Sequence, residues 1–239
     1  MWWIPLIIVL VILVILIIIG VVTASRHDKG DYGDGGGTQI GGDNHVPFFT
    51  PANERAGIRG EHFVNYHLRP LLREDEYLLA NVLLPLKNNK KTEIDAIMIS
   101  RKGIFCIETK NWVGHIRGSD EDEYWIQEYD DPYMPNRQHK NPVIQNDAHC
   151  EILQRILNNR FKVYGAVIFA ELEDGLRIHS ECTFSIVGFK RYFRELSEDD
   201  LGPEEIKQIY QKLVKFVASP DELREHREEV RKRYNWIGE

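Results

Sequence analysis

Asp95 and Glu108 stand thirteen positions apart in the stretch EIDAIMISRKGIFCIETKN, and Lys110 follows two residues after the glutamate. Residues 93–99 and 104–110 are apolar and rich in isoleucine, with Ser100, Arg101, Lys102 and Gly103 between them. That pattern predicts two strands joined by a tight hairpin. A turn centred on Arg101 and Lys102 places Asp95 opposite Glu108 and Glu93 opposite Lys110, with Cβ atoms about 4.5–5.5 Å apart on one face. Like charges so placed repel, so a positive partner is expected between them. It is either a metal ion or Lys110, which shares the face of Glu108. Carboxylate oxygens suit Mg²⁺ or Mn²⁺, which polarise a phosphoryl oxygen and lower the pKa of a bound water, while a nearby ammonium orients that water or stabilises developing charge. The same residues also fit a plain cross-strand ion pair of Glu93 with Lys110, and a one-residue register slip turns one carboxylate to the other face.

The elements that must position these groups are legible in outline. Thr50 and Pro51 open a helix with capping chemistry, and its inward stripe is Glu61, Val64, Leu68 and Leu71. A glutamate on that stripe needs a partner. Against the sheet Glu61 adds a ligand to the Asp95 and Glu108 site; at the helix surface it pairs with Arg59 or Arg69. Residues 77–86 read as a strand before the hairpin, and 115–116 and 124–127 as short strands after it. Asn141 and Pro142 open a helix to about residue 158 with Ile144, Ala148, Ile152 and Ile156 as its apolar row. Beside that row Gln145 and His149 either reach over the hairpin face or satisfy local hydrogen bonds. Residues 163–170 and 182–187 read as further strands. Gly202 and Pro203 begin an amphipathic helix using Ile206, Ile209, Tyr210, Leu213 and Val217, and Ser219 with Glu222 forms a capping box for a last, highly charged helix. The order is helix, three strands, helix, strand.

Residues 1–24 are of another kind. No charge occurs over residues 4–22, and those 19 positions make a helix of about 28 Å, close to the hydrocarbon thickness of a bilayer. Trp2 and Trp3 suit an interfacial belt, and Arg26 and Lys29 follow the span. The expectation is a single-pass anchor in the cell membrane, contacting lipid through residues 4–22, with the C-terminal domain cytoplasmic. The uncharged run exceeds that of a cleaved signal peptide. Residues 25–49 are glycine-rich, lack the Gly-Lys-Ser/Thr ending of a phosphate-binding loop, and read as a flexible tether. Residues 50–200 are expected to form one domain, and residues 201–239 helices packed on it or extending it. The net charge of −7 argues against a general nucleic-acid coat but leaves room for a site whose positive charge comes from metal ions. Cys106, Cys150 and Cys182 show no metal-binding spacing and fit buried thiols in a reducing compartment.

Taken in order, GIRGEHF around Glu61, TEIDAIMIS around Asp95, GIFCIETKNWVGHIRG around Glu108 and Lys110, the Trp125 strand, and NPVIQNDAH with Gln145 and His149 resemble the nuclease-related domain family, NERD, of the PD-(D/E)XK nuclease superfamily. The resemblance covers roughly residues 54–170. It implies an α/β, restriction-endonuclease-like αβββαβ core with a central mixed sheet flanked by helices. It also implies a nuclease that uses Mg²⁺ or Mn²⁺ to hydrolyse nucleic acid, DNA favoured over RNA. In that resemblance Asp95 and Glu108 bind the metal, Lys110 assists the attacking water, Glu61 completes or supports the site, and Gln145 orients Lys110 or the phosphate. Glu93 and His149 are accessory candidates, and Arg101 and Lys102 candidate nucleic-acid contacts. The competing expectation is a membrane-tethered, non-catalytic binding or scaffold module on the same fold. In the last helix, Arg224, Arg227, Arg231, Lys232 and Arg233 read as a solvated face, a partner site or a nucleic-acid rail.

Overall fold

Strand pairing of the isoleucine-rich segments organises the chain. The computed structural model describes residues 38–40, 52–172, 175–197 and 200–237. Strands β1 (Thr38–Ile40), β2 (Tyr77–Pro85), β3 (Lys91–Ser100), β4 (Gly103–Lys110), β8 (Val163–Phe169) and β10 (Thr183–Ser185) lie side by side in that order in one mixed sheet. A second sheet has the order β7 (Arg137–Lys140), β6 (Tyr124–Glu128), β5 (His115–Ser119), β9 (Leu176–His179). The helices are α1 (Ala52–Leu68), α2 (Pro142–Ile156), α3 (Ile186–Glu195), α4 (Pro203–Leu213) and α5 (Pro220–Ile237). The succession α1, β2, β3, β4, α2, β8 is the expected αβββαβ core. The expected anchor and most of the tether lie outside the described residues; among those described, no helix is long and apolar enough to cross a membrane.

The hairpin pairs in the expected register, Ser100 with Gly103 through Ala96 with Ile107. Gly103 sits at φ 122°, where a side chain is strained, and this fixes the turn. Apolar residues alternate between two core layers. Leu79, Ile97, Ile99, Ile104 and Cys106 pack with Cys150 and Leu153 of α2 and with Ile206, Ile209 and Leu213 of α4. Leu78, Ala96, Met98, Phe105 and Ile107 pack with Val64 and Leu68 of α1 and with Phe189 and Phe193 of α3. Full burial of each such side chain stabilises by about 1.5–3 kcal/mol before entropy is counted.

The alternation breaks once. On β2 the residues facing the α2 and α4 layer run Leu79, Val82, Leu84, and on β3 they run Ile94, Ile97, Ile99, so each strand takes one step of three instead of two. The reversal lies at Asn81 and Asp95, which face each other between the pairs Ala80 with Ala96 and Val82 with Ile94. Asn81 has φ 55°, a conformation that asparagine tolerates better than most residues. Its carbonyl accepts the N–H of Ala218 at 2.9 Å. The consequence divides the one-face expectation. Glu93 and Asp95 bring oxygens to Glu61 of α1, and Glu108, in step with Ile104 and Cys106, meets His149 of α2. Glu108 remains the charge that acts most strongly on Asp95.

Other departures have local causes. The segment expected as a strand over residues 182–187 gives only β10, because Ser185 caps α3, its Oγ accepting the N–H of Gly188 at 3.1 Å. The apolar row assigned to α2 is rotated: Ile144 is 51 % exposed and Val143, Asn146, His149, Cys150 and Leu153 are buried. Strand β1 comes from the glycine-rich stretch and pairs in parallel with β2, Thr38 opposite Tyr77. The edge strands β7 and β9 carried too little apolar alternation to be foreseen.

Candidate active site

Three carboxylates converge where the strands reverse. One oxygen each from Glu61, Glu93 and Asp95 lies within 4.8 Å of the other two. Asp95 is fixed by the end of the hairpin ladder. Beyond Ala96 and Ile107 its Oδ2 accepts the N–H of Thr109 at 2.7 Å, in place of a further backbone pair. Burial first, then the charges of Glu108, Glu61 and Glu93, pushes the Asp95 carboxyl well above the usual range. Glu61 is also raised, chiefly by burial, with Arg227 opposing the shift.

Glu61 reaches this cluster because α1 approaches the end of β4 closely at Gly60. A Cβ there would stand 2.7 Å from the Cβ of Asn111, whose Nδ2 donates to the Ala56 carbonyl at 2.9 Å. Gly57, one turn earlier, has open space around it. The two glycines should therefore respond oppositely to alanine. Gly57→Ala should stabilise by up to about 1 kcal/mol through helix propensity. Gly60→Ala should destabilise by about 1–3 kcal/mol through overpacking and displace Glu61. Denaturant midpoints of the two variants check this, and equal shifts would remove the close-approach account.

Glu108 and Lys110 form a second group. Lys110 Nζ donates to Glu108 Oε1 at 2.6 Å and to Gln145 Oε1 at 3.3 Å, and lies 5.8 Å from the centre of the Trp112 ring. Burial would raise the Glu108 carboxyl, yet the Lys110 ammonium and His149 hold it below its usual range. Burial would lower Lys110, and Glu108 more than reverses this, so the ammonium stays charged. His149 Nδ1 faces Glu108 Oε2 at 3.5 Å, and its Nε2 lies 3.1 Å from Thr92 Oγ1. With the ring proton on Nδ1, Nε2 accepts from the threonine hydroxyl. Helix α2 is set for this role by Asn141, whose Oδ1 caps the N–H of Val143 at 2.8 Å and whose Nδ2 donates to the carbonyls of Ser119, Asp120 and Asp122. Asn146 adds a bond from Nδ2 to the Cys106 carbonyl at 3.0 Å.

The cation in the acidic cluster is one that the sequence reading had left on the surface. Arg227 Nε lies 3.1 and 3.2 Å from the two oxygens of Glu93, and Nη2 lies 3.2 and 3.0 Å from those of Glu61. Nη2 also donates to Glu93 Oε1. In place of the alternative pairings of Glu93 with Lys110 and of Glu61 with Arg59 or Arg69, both glutamates share this one guanidinium, whose own pKa is driven further upward by them against its burial. A signal was present. Leu223, Arg227 and Val230 are spaced to share a helix face.

Arg101 and Lys102 are not brought to the site. They lie at the hairpin turn, about 20 Å along the strands from Asp95. Arg101 is bidentate to Asp75 at 2.9 and 2.6 Å, its N–H donates to Glu76 at 2.8 Å, and Lys102 Nζ donates to the Leu196 carbonyl at 2.6 Å. These bonds hold the turn to its neighbours, away from the acidic cluster.

The cluster residues on α1, β3, β4 and α2 all fall within one recognisable segment, and Arg227 falls outside it. An uncharacterized protein of Bacillus anthracis is 24 % identical over 172 residues, covering 66 % of this chain and 76 % of its own length. No solved structure matches the chain. Residues 56–170 match the profile of NERD, the nuclease-related domain. This segment, with its αβββαβ core and the carboxylates at the end of its central hairpin, therefore belongs to the nuclease-related domain family of the PD-(D/E)XK-like nuclease superfamily.

Proposed function

We propose that the domain is a divalent-metal-dependent nuclease that hydrolyses nucleic-acid phosphodiesters, DNA in preference to RNA, and that residues 4–22 anchor it to the membrane. The observation that carries the reading is the convergence of Glu61, Glu93 and Asp95 oxygens within 4.8 Å beside the Glu108 and Lys110 pair. The donor set suits Mg²⁺ or Mn²⁺, since hard, anionic oxygens at this spacing need only a small closure to meet an octahedral ion. Two of these carboxyls are raised by burial and mutual repulsion, a cost that a cation offsets. Asp95 with Glu61 and Glu93 would hold the ion, with Glu108 Oε2, buried and 3.5 Å from His149 Nδ1, beside them. A bound ion would supply Lewis-acid activation of the phosphoryl group and of water.

The chain's own groups do the rest. Lys110, kept protonated by Glu108, presents an ammonium to a phosphoryl oxygen or to the attacking water, and Gln145 limits its direction. His149 and Thr92 hold Glu108 in place. The test is cleavage of supercoiled DNA, single-stranded DNA and RNA by a fragment starting at residue 36, so that β1 is retained on the sheet edge. Cutting in Mn²⁺ and none in EDTA is expected. A second reading, a non-catalytic scaffold, draws support from Arg227, which already supplies a cation to the cluster; absence of cutting on all three substrates would favour it. The anchor has its own measurement. Protease added to intact cells should spare the domain if it is cytoplasmic, and digestion there would reverse the orientation.

A further inference from the structure

Arg227 engages both oxygens of Glu61 and both oxygens of Glu93. Only Asp95, of the three converging carboxylates, has no bond to this guanidinium. A divalent ion using Glu61 and Glu93 would sit within a few ångströms of the guanidinium carbon and nitrogens, where both glutamate side chains are 12–17 % exposed and water screens little. Two cations cannot share those four oxygens without strong repulsion. We propose that Arg227 is a displaceable internal occupant of the metal site, so that α5 and the divalent cation bind the cluster in mutually exclusive fashion. The inference rests on the metal reading above and adds to it the group that regulates access.

Three observations make α5 suited to leave. The helix lies beyond residues 56–170, the segment that matches the nuclease-related domain. Among the described side chains of α5, Leu223 is the buried apolar one, in a small cluster with Leu83 and Ala218 separate from the two main core layers, and His226 is the buried polar one. Its attachment is a short hinge, in which Val217 bridges Val82 and the Ala218 N–H donates to the Asn81 carbonyl, directly beside the reversal that carries Asp95. Opening at that hinge removes Arg227 from Glu61 and Glu93 without disturbing the sheet.

The experiment is Mn²⁺ titration of the full-length protein and of Arg227→Gln by electron paramagnetic resonance, together with hydrogen exchange of α5 in the wild type with and without Mn²⁺. Removing a competitor that holds the site closed most of the time should tighten Mn²⁺ binding on the order of 10-fold or more. Arg224→Gln, on the exposed side of α5, should leave the affinity unchanged. In the wild type, Mn²⁺ should speed exchange along α5, a readout that needs no variant and survives misfolding of Arg227→Gln. Equal or weaker Mn²⁺ binding by Arg227→Gln, or α5 protection unaltered in wild type that has bound Mn²⁺, overturns the proposal and makes Arg227 a fixed support of the glutamates. Failure of both proteins to bind Mn²⁺ overturns the metal reading itself, a result distinct from failure of the competition alone.

Discussion

Asp95→Asn should lower Mn²⁺-dependent cleavage by at least about 10³-fold, in line with losing a group that organises charge at a reacting phosphate, and should raise the thermal midpoint of the metal-free protein. Both effects come from one carboxylate. The amide oxygen can still accept the Thr109 N–H that Asp95 Oδ2 accepts at 2.7 Å, so the hairpin end stays in place. What disappears is a charge that burial and three neighbouring glutamates oppose. Because the folded-state pKa of Asp95 is raised, its contribution to stability is complete below the unfolded-state value and is lost as pH rises through the folded one. The midpoint of the wild type in EDTA should therefore fall toward alkaline pH relative to that of Asp95→Asn. At about 2–4 °C per kcal/mol for a domain of this size, even a modest repulsion is measurable. Adding Mn²⁺ should stabilise the wild type and not the variant. Identical pH profiles in EDTA would show that Asp95 carries no strain of this kind.

Lys110→Ala should damage the protein in two separable ways. Turnover should drop on the order of 10²–10³-fold through loss of an electrostatic stabiliser. Stability should drop by about 3–5 kcal/mol, because Glu108, 3 % exposed, is left as a buried carboxylate without its ammonium. Combining Lys110→Met with Glu108→Gln removes both charges and should recover most of the stability while leaving cleavage absent. Chemical denaturation and cleavage rates on the two proteins separate the roles. Recovery of cleavage by the double variant would mean that neither group takes part in the reaction.

The hairpin register was readable because turn chemistry sets it: four residues between two apolar runs, ending in a glycine whose φ of 122° excludes most alternatives. Which face each carboxylate takes was not readable. Period-two reasoning assumes an uninterrupted pleat, and the reversal depends on Asn81, one asparagine in an otherwise apolar strand, together with the Ala218 N–H it receives from a segment 137 positions later. Helix α2 misled for a related reason. Gln145 and His149 were taken as boundary residues and Asn146 was not weighed, but His149 finds Thr92 and Glu108 inside and Asn146 the Cys106 carbonyl, and the burial of these two turns Ile144 outward. Pattern reasoning treats polarity as a tendency to face water, which fails wherever a buried acceptor is waiting. Arg227 was hidden by its company, since a helix in which nearly every residue is charged reads as solvated even though one of those charges lies on the stripe of Leu223.

The distance along the chain between Glu61 and Arg227, 166 residues, also gives the site a history. A ribosome adding about 5–20 residues per second makes the stretch from residue 170 to residue 227 in about 3–11 s. During that interval the nuclease-related segment is already synthesised and its acidic cluster has no guanidinium. A nascent chain is thus exposed to cellular cations before its own C-terminal helix exists. Order of synthesis, and not affinity alone, then decides which positive charge reaches Glu61 and Glu93 first.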